Sequence, residues 1–239
     1  MVQVLVTAGP THEHLDDVRF LANASSGRTG FAIAEAAARA GCDVVLIAGP
    51  VSRPTPPGVR RIDVVSAQEM HDTAVEVWPS CGIAFGVAAV ADLRPKNRHQ
   101  GKPAKEDTGL VLELERNPDV IAALGHSKRD DQCVVGFALE AGDADGRLGD
   151  EAWAAAERKA LGKIERKRLD FCVLNGPAAL GGDRSETYLV ESEDGSAKVT
   201  PLGERSKDDF ASLLVDRAMT LWRSRSGVSD GGVANGGAS

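Results

Sequence analysis

Apolar and polar positions along the chain follow two alternating rhythms. Short aliphatic, often β-branched runs recur at 2–8, 43–48, 60–65, 82–87, 110–115, 133–137 and 170–174, each of strand length. Between them lie segments of helical spacing or helix-forming composition at 27–40, 66–78, 118–126 and 149–167. A hairpin is expected over 186–201 and an amphipathic helix from about 207 to 222. This alternation predicts an α/β fold: a Rossmann-like, doubly wound, mainly parallel sheet with helices on both faces and a small C-terminal hairpin. Helix 66–78 opens on Ser66-Ala-Gln-Glu69, a capping box. Asn117-Pro118-Asp119-Val120 reads as another helix start, with Asn117 as the cap and Pro118 at the first position. The four prolines between Gly49 and Gly58 make that connection a stiff surface loop.

The first forty residues organise the rest. Strand 2–8 leads, after an insertion, to Ala22-Asn-Ala-Ser-Ser-Gly-Arg-Thr-Gly30, and then to an alanine-rich helix that stops at Gly41. Small residues at a helix start leave backbone N–H groups that Ser25 or Ser26 can cap or share with an anion, a phosphate cradle. On these residues alone a plain serine-capped helix, with glycine for tight packing, explains the segment equally well. The insertion Gly9 to Phe20 carries charge and two imidazoles, His12 and His14. It separates the first strand from its helix and is expected over the carboxyl end of the sheet, where ligands bind. The next run, Val44 to Ala48, ends in Gly49-Pro50 without the acidic residue that would hold a ribose. The pattern is that of a phosphate site, not a nicotinamide site.

Further along, the apolar run from Gly82 turns polar at Asp92, which marks the ligand edge of a strand buried on both faces. Taken by position, Asp92 is equally a turn residue or an ion-pair partner of Arg94. Pro95 to Gly109 is a polar loop with five basic side chains, by default a solvated charge run. Lys163 and Lys167 share one helix face, read alone as solvent-facing, and Phe137 at a strand end reads as core.

The length of 239 residues suits one domain over 1–223, with a disordered Gly/Ser-rich tail over 224–239. Apolar content of 42% and charged content of 26% are those of a globular protein. A net charge of −7 argues against nucleic-acid or anionic-membrane binding, so any phosphate site must be built from local cations. Cys42, Cys81, Cys133 and Cys172 form no CxxC pair and read as buried free thiols of a reducing, cytoplasmic compartment. No apolar run approaches the ~20 residues of a membrane span. The chain enters its first strand at once, so no signal peptide is expected.

The stretch from Thr7-Ala-Gly-Pro-Thr-His-Glu-His, through Asn23-Ala-Ser-Ser-Gly-Arg-Thr-Gly, to Phe31-Ala-Ile-Ala34 closely resembles the opening of phosphopantothenate–cysteine ligases. These are the synthetase half of bifunctional bacterial flavoproteins of coenzyme A biosynthesis, and the resemblance runs to about residue 223. It implies that a nucleoside triphosphate, CTP in bacterial-type members and ATP in eukaryotic ones, activates 4′-phosphopantothenate as an acyl-nucleotidylate. L-Cysteine then displaces the nucleotide. It further implies catalytic roles for Asn23, Lys102 and Arg19, and a substrate end shaped by Ser25, Ser26, Gly27 and Gly30. Nucleotide contacts would come from Gly9, Ala88, Ala89, Asp92, Lys105, Pro118, Asp119, Val120, Ile121, Phe137, Lys163 and Lys167. Mg²⁺ is the expected cofactor, its ligands unassigned. A homodimer and a phosphopantothenoylcysteine decarboxylase are the expected partners. The residues at Ala88, Ala89, Asp92, Phe137, Lys163 and Lys167 favour CTP.

The chain departs from the family pattern in four places. The lysine flap, Lys-x-Lys-Lys in the family, reads Lys102-Pro103-Ala104-Lys105 here; Leu139 replaces a smaller residue; Gly176 follows Asn175 where Asp is frequent; and 177–187 matches poorly. A non-catalytic nucleotide-binding homologue with a degraded flap is therefore the principal alternative. An NAD(P)-dependent oxidoreductase, with Arg53 facing a 2′-phosphate, is the lesser one, because no Tyr-x-x-x-Lys is present.

Overall fold

The computed structural model describes residues 1–101, 111–139, 150–175, 187–203 and 205–228. Chain order begins with β1 (Gln3–Ala8), a small antiparallel pair β2 (His12–His14) and β3 (Phe20–Ala22), α1 (Arg28–Arg39), β4 (Asp43–Ala48) and β5 (Val59–Asp63). Next come α2 (Ala67–Val77), which ends in a 3-10 turn at Trp78–Ser80, then β6 (Ile83–Gly86), β7 (Leu93–Pro95), β8 (Leu114–Arg116), α3 (Val120–Ser127) and β9 (Cys133–Leu139). The last described elements are α4 (Asp150–Lys167), β10 (Phe171–Asn175), β11 (Thr187–Glu193), β12 (Ser196–Pro201) and α5 (Lys207–Ser226).

The eight-stranded sheet runs β12-β11-β10-β9-β6-β1-β4-β5. From β5 to β10 the strands are parallel, and the β11–β12 hairpin adds two antiparallel strands at one edge. A parallel sheet needs both faces covered, and strand alternation meets that need. Val4 and Val6 face a layer formed by α1 and α5, while Leu5, one residue between them, faces α2, α3 and α4. The chain proceeds outward from β1 through β4 to β5 on one side, and from β6 through β9 to β10 on the other. The order therefore reverses between β1 and β6, which opens a crevice at their carboxyl ends.

Gly30 sets how closely α1 approaches β1: a Cβ there would lie 2.5 Å from the Ala8 Cβ. At the opposite end of the sheet, the buried Asp170 carboxylate accepts from the Val134 N–H at 2.6 Å, Lys128 at 2.8 Å and Arg225 at 2.6 Å, which ties α5 to β9 and β10. All four cysteines are free and buried. Burial pushes the Cys81 and Cys172 thiols up to about 11 and raises those of Cys42 and Cys133 as well.

Several boundaries differ from expectation. The apolar run expected at 110–115 yields β8, which pairs antiparallel with β7 outside the main sheet. The charged side chains of Glu115 and Arg116, with Glu113 just before the strand, suit an exposed ribbon and not a strand buried on both faces. The insertion after β1 is not a plain loop, because β2 and β3 pair within it. Their turn is closed by Asp16, whose carboxylate accepts from the Val18 and Arg19 N–H groups at 2.8 and 2.7 Å. Helix α3 is capped by Asp119, not Asn117: the Asp119 carboxylate accepts from Ala122 N at 3.1 Å. In α2 the Ser66 hydroxyl caps as expected, yet Glu69 returns to the Val65 N–H, one residue before the cap. Helix α5 continues through Ser226 to Gly227, three residues into the expected tail. The stretches 102–110, 140–149 and 176–186 lie outside the described residues, as do Glu204 and 229–239.

Gly30→Ala should force α1 off β1 and lower stability by about 1–3 kcal/mol. A urea unfolding midpoint equal to that of the wild type would contradict this packing.

Candidate functional site

Past Gly86 the chain leaves β6 and runs as an irregular strap, residues 87–92, across the carboxyl ends of the strands. A segment that leaves a sheet loses its ladder partners, so its backbone groups need others. The end of β1 and the loop after it supply them. Ala88 N–H donates to Thr7 Oγ1 at 3.4 Å, Ala89 N–H to the Gly9 carbonyl at 2.9 Å, and Ala91 N–H to Thr11 Oγ1 at 3.0 Å. The strap's carbonyls are taken from the other side. Asn23 Nδ2 donates to Val90 O at 3.0 Å and Asn117 Nδ2 to Ala91 O at 2.8 Å, while the Asn117 N–H donates to Asp92 O at 2.9 Å.

Beside this strap lies a cleft of about 260 Å³ at the switch point, with Thr7 and Gly86 in its lining. Ala88, Asp92 and Phe137 line it too, together with Pro118 to Ile121 at the start of α3 and Lys163 and Lys167 on α4. Both lysines are turned inward, which corrects their reading as solvent-facing: α4 packs beside β10 and α3, so its inward face reaches the strand ends. Lys163 Nζ donates to the Phe137 carbonyl. Burial lowers its pKa, and the Lys167 charge adds to that effect, while Asp119 and Asp92 oppose it. Lys167 Nζ lies 2.6 Å from the Asp119 carboxylate. One aspartate thus caps a helix and holds a cation at the cleft wall. Asp92 is exposed at the lip, and Arg94 pairs with Glu115 instead of with it. The site is cationic on one side within an acidic chain, as a local anion site must be.

The α1 end completes the surroundings. Gly27, at φ 71°, occupies the cap position, no side chain caps the helix, and its first turn holds no acidic residue. Ser25 Oγ accepts from the Gly27 N–H at 3.3 Å, ahead of the helix, so neither serine is the expected cap. An uncapped helix start flanked by glycine is open to an anion. Ser26 is exposed there, whereas Gly27 and Gly30 are buried, Gly27 beside Gly9 and Gly30 under Ala8. Those two glycines shape the backbone and do not line the cleft.

Arg19 forms a double contact with Asp16, at 2.7 Å through Nε and 2.6 Å through Nη2. The Val18 N–H first, then the Arg19 backbone and guanidinium, hold the Asp16 carboxyl down at about 2. His12 stacks on Phe20 with ring centroids 3.8 Å apart and belongs to the hairpin, not the cleft. Lys102 and Lys105 lie outside the described residues. Arg53 sits over the Phe31 ring, 5.9 Å from its centroid, in a separate pocket near α5. Where a dinucleotide fold needs an acidic ribose ligand, Gly49 is overlain by Pro10: a Cβ there would lie 1.7 Å from the Pro10 carbonyl oxygen. The strap anchors Thr7 and Thr11, and Asn117 as a tether, were missed by sequence reasoning. Their one advance signal was position, at the ends of apolar runs.

Among the described residues, no group of three or more His, Cys, Asp or Glu side chains is arranged to hold a metal, and no helix is long and apolar enough to cross a membrane. Residues 1–221 match the family model described as the DNA/pantothenate metabolism flavoprotein C-terminal domain. The chain is 42% identical over 225 residues to the coenzyme A biosynthesis bifunctional protein CoaBC of Haemophilus influenzae, covering 93% of this chain and 52% of that protein. It is 41% identical over 220 residues to the protein of the same name from Vibrio cholerae, covering 89% of this chain and 51% of that one. The chain therefore spans about half the length of these curated relatives. The crystal structure of the C-terminal domain of a CoaBC protein superimposes with a TM-score of 0.73 at 32% identity, over 92% of this chain and 95% of that one.

The buried Lys163 ammonium should lose its proton below the ordinary lysine value of 10.5. An anion held by it would then be released as pH rises, sooner than from a surface lysine. A ¹³Cε chemical-shift titration of Lys163 with its midpoint at or above 10.5 would contradict the burial.

Proposed function

The chain belongs to the family of the DNA/pantothenate metabolism flavoprotein C-terminal domain, and on that premise we propose that it is a phosphopantothenate–cysteine ligase. One observation carries the proposal. Phe137, Asp92, Lys163 and Lys167, expected as nucleotide contacts, come from three chain segments to one cleft, and Asn23 is hydrogen-bonded to the strap that forms its edge.

In the first step a carboxylate oxygen of 4′-phosphopantothenate attacks the α-phosphorus of a nucleoside triphosphate. The bond to the β-phosphate breaks and pyrophosphate leaves. In the second, the amine of L-cysteine attacks the activated carbonyl, the nucleotide monophosphate departs, and the amine loses a proton. No side-chain nucleophile is required; orientation and charge stabilisation do the work. Lys163, Lys167 and, from the flap, Lys102 and Lys105 would bear on the phosphates, with the α3 start and Phe137 against the rest of the nucleotide. Asn23 presents an amide that can donate and accept at the acyl group, with its Nδ2 oriented by Val90 O. Arg19, held by Asp16, would serve the substrate phosphate.

Mg²⁺ would come with the triphosphate, offsetting its charge, because the described residues provide no ready-made metal cage. Asp92, exposed at the lip, would be a carboxylate within the cleft for such a complex. We propose CTP over ATP from the resemblance at Ala88, Ala89, Asp92, Phe137, Lys163 and Lys167. We also propose a homodimer: Val18, Phe20, Leu93 and Leu114 are exposed on the two small hairpins and would be covered by a second copy. A decarboxylase acting on the product is the expected partner, and four unpaired thiols favour a cytoplasmic setting.

Pyrophosphate release with 4′-phosphopantothenate and Mg²⁺ should be faster with CTP than with ATP, and phosphopantothenoylcysteine should form only when cysteine is added. Nucleotide binding without release would move the chain to the non-catalytic, degraded-flap reading. Asn23→Ala should still release pyrophosphate while the acyl-nucleotidylate accumulates. Product formation at the wild-type rate in that variant would remove Asn23 from the second step.

A further inference from the structure

We infer that Thr11 is a positioning residue for Asn23, acting through one peptide group of the strap without touching substrate. The inference rests on the ligase reading for its catalytic consequence, but its geometry stands on the fold.

The peptide linking Val90 to Ala91 carries both bonds. Its N–H donates to Thr11 Oγ1 at 3.0 Å, and its carbonyl accepts from Asn23 Nδ2 at 3.0 Å. A peptide group is planar, so fixing one end fixes the direction of the other. An N–H that donates also polarises its own carbonyl and strengthens it as an acceptor. The Thr11 hydroxyl therefore sets where the Asn23 amide points and how firmly it is held.

Thr11 is fully buried and does not line the cleft. It is also fixed on either side. Before it, Pro10 bridges Ala89 and its carbonyl packs on Gly49; after it, the His12 N–H donates to Val65 O at 2.8 Å. The anchor is therefore rigid, whereas Asn23 is exposed and sits in a stretch of no regular structure. An exposed amide that would meet an acyl carbonyl gains its direction from a buried hydroxyl on the far side of one peptide plane.

Thr11→Val keeps the shape and removes the acceptor, which leaves the buried Ala91 N–H unpaired. The amide-forming step should fall roughly tenfold or more, with a smaller loss in pyrophosphate release, and the ¹H–¹⁵N signals of the Asn23 side-chain amide should move. Thr11→Ser retains the hydroxyl and should restore both the rate and the signals. Thr11→Ala, which adds no methyl, should reproduce the valine result and serves if Thr11→Val does not fold. Unmoved Asn23 signals in Thr11→Val, or a Thr11→Ser variant as impaired as Thr11→Val, would overturn the inference. If the wild type forms no amide product the ligase reading falls, and the Asn23 signals still decide the positioning role.

Discussion

The strap that leaves β6 governs the site. A parallel strand that ends at its carboxyl edge gives up its ladder partners, and an unpaired buried backbone group is costly. Here the debt is met from three directions: the loop after β1, the segment before α1, and the segment before α3. The backbone of the cleft is thereby determined by requirements of hydrogen bonding that exist before any ligand arrives, which is what orientation-based catalysis needs.

Much of the architecture is legible in the sequence because its cause is local. Val44 to Ala48 and Cys133 to Phe137 are continuous apolar runs, and only a sheet covered on both faces buries such runs completely. The turn at Asp194-Gly195 between two strand-like segments marks the C-terminal hairpin in the same way. What escaped has non-local causes. The strands β2, β3, β7 and β8 are three residues each, too short for a period to register. Asn117 and Asp119 both satisfy the local rules for a helix cap, and the choice between them is made by the distant Ala91 carbonyl and Lys167. The lysines of α4 have the spacing of a solvated pair, and only the packing of α4 beside β10 and α3 turns them inward. Of the residues that the resemblance names for the nucleotide, Ala88, Asp92, Pro118 to Ile121, Phe137, Lys163 and Lys167 line one cleft, while Gly27 and Gly30, named for the substrate end, are buried against Gly9 and Ala8.

The electrostatics follow the same economy. On the proposed reading a chain with net charge −7 would attract a polyanion, and the cations at its cleft are few and inward-facing. Lys163 is held against a carbonyl and weakened by burial, while Lys167 is matched by Asp119. On the same reading an incoming phosphate would compete with that aspartate for Lys167, which keeps the cation oriented beforehand and would limit the net gain in affinity.

On the ligase reading proposed above the second substrate is a thiol, and the four buried cysteines bear on that reading. Their raised pKa values leave almost no thiolate at neutral pH, and burial denies reagents access. The protein is chemically quiet toward thiol–disulfide exchange with cystine, the disulfide of that substrate. For the same reason, a thiol-directed label added to a turnover mixture would mark substrate and product and leave the folded protein unmodified.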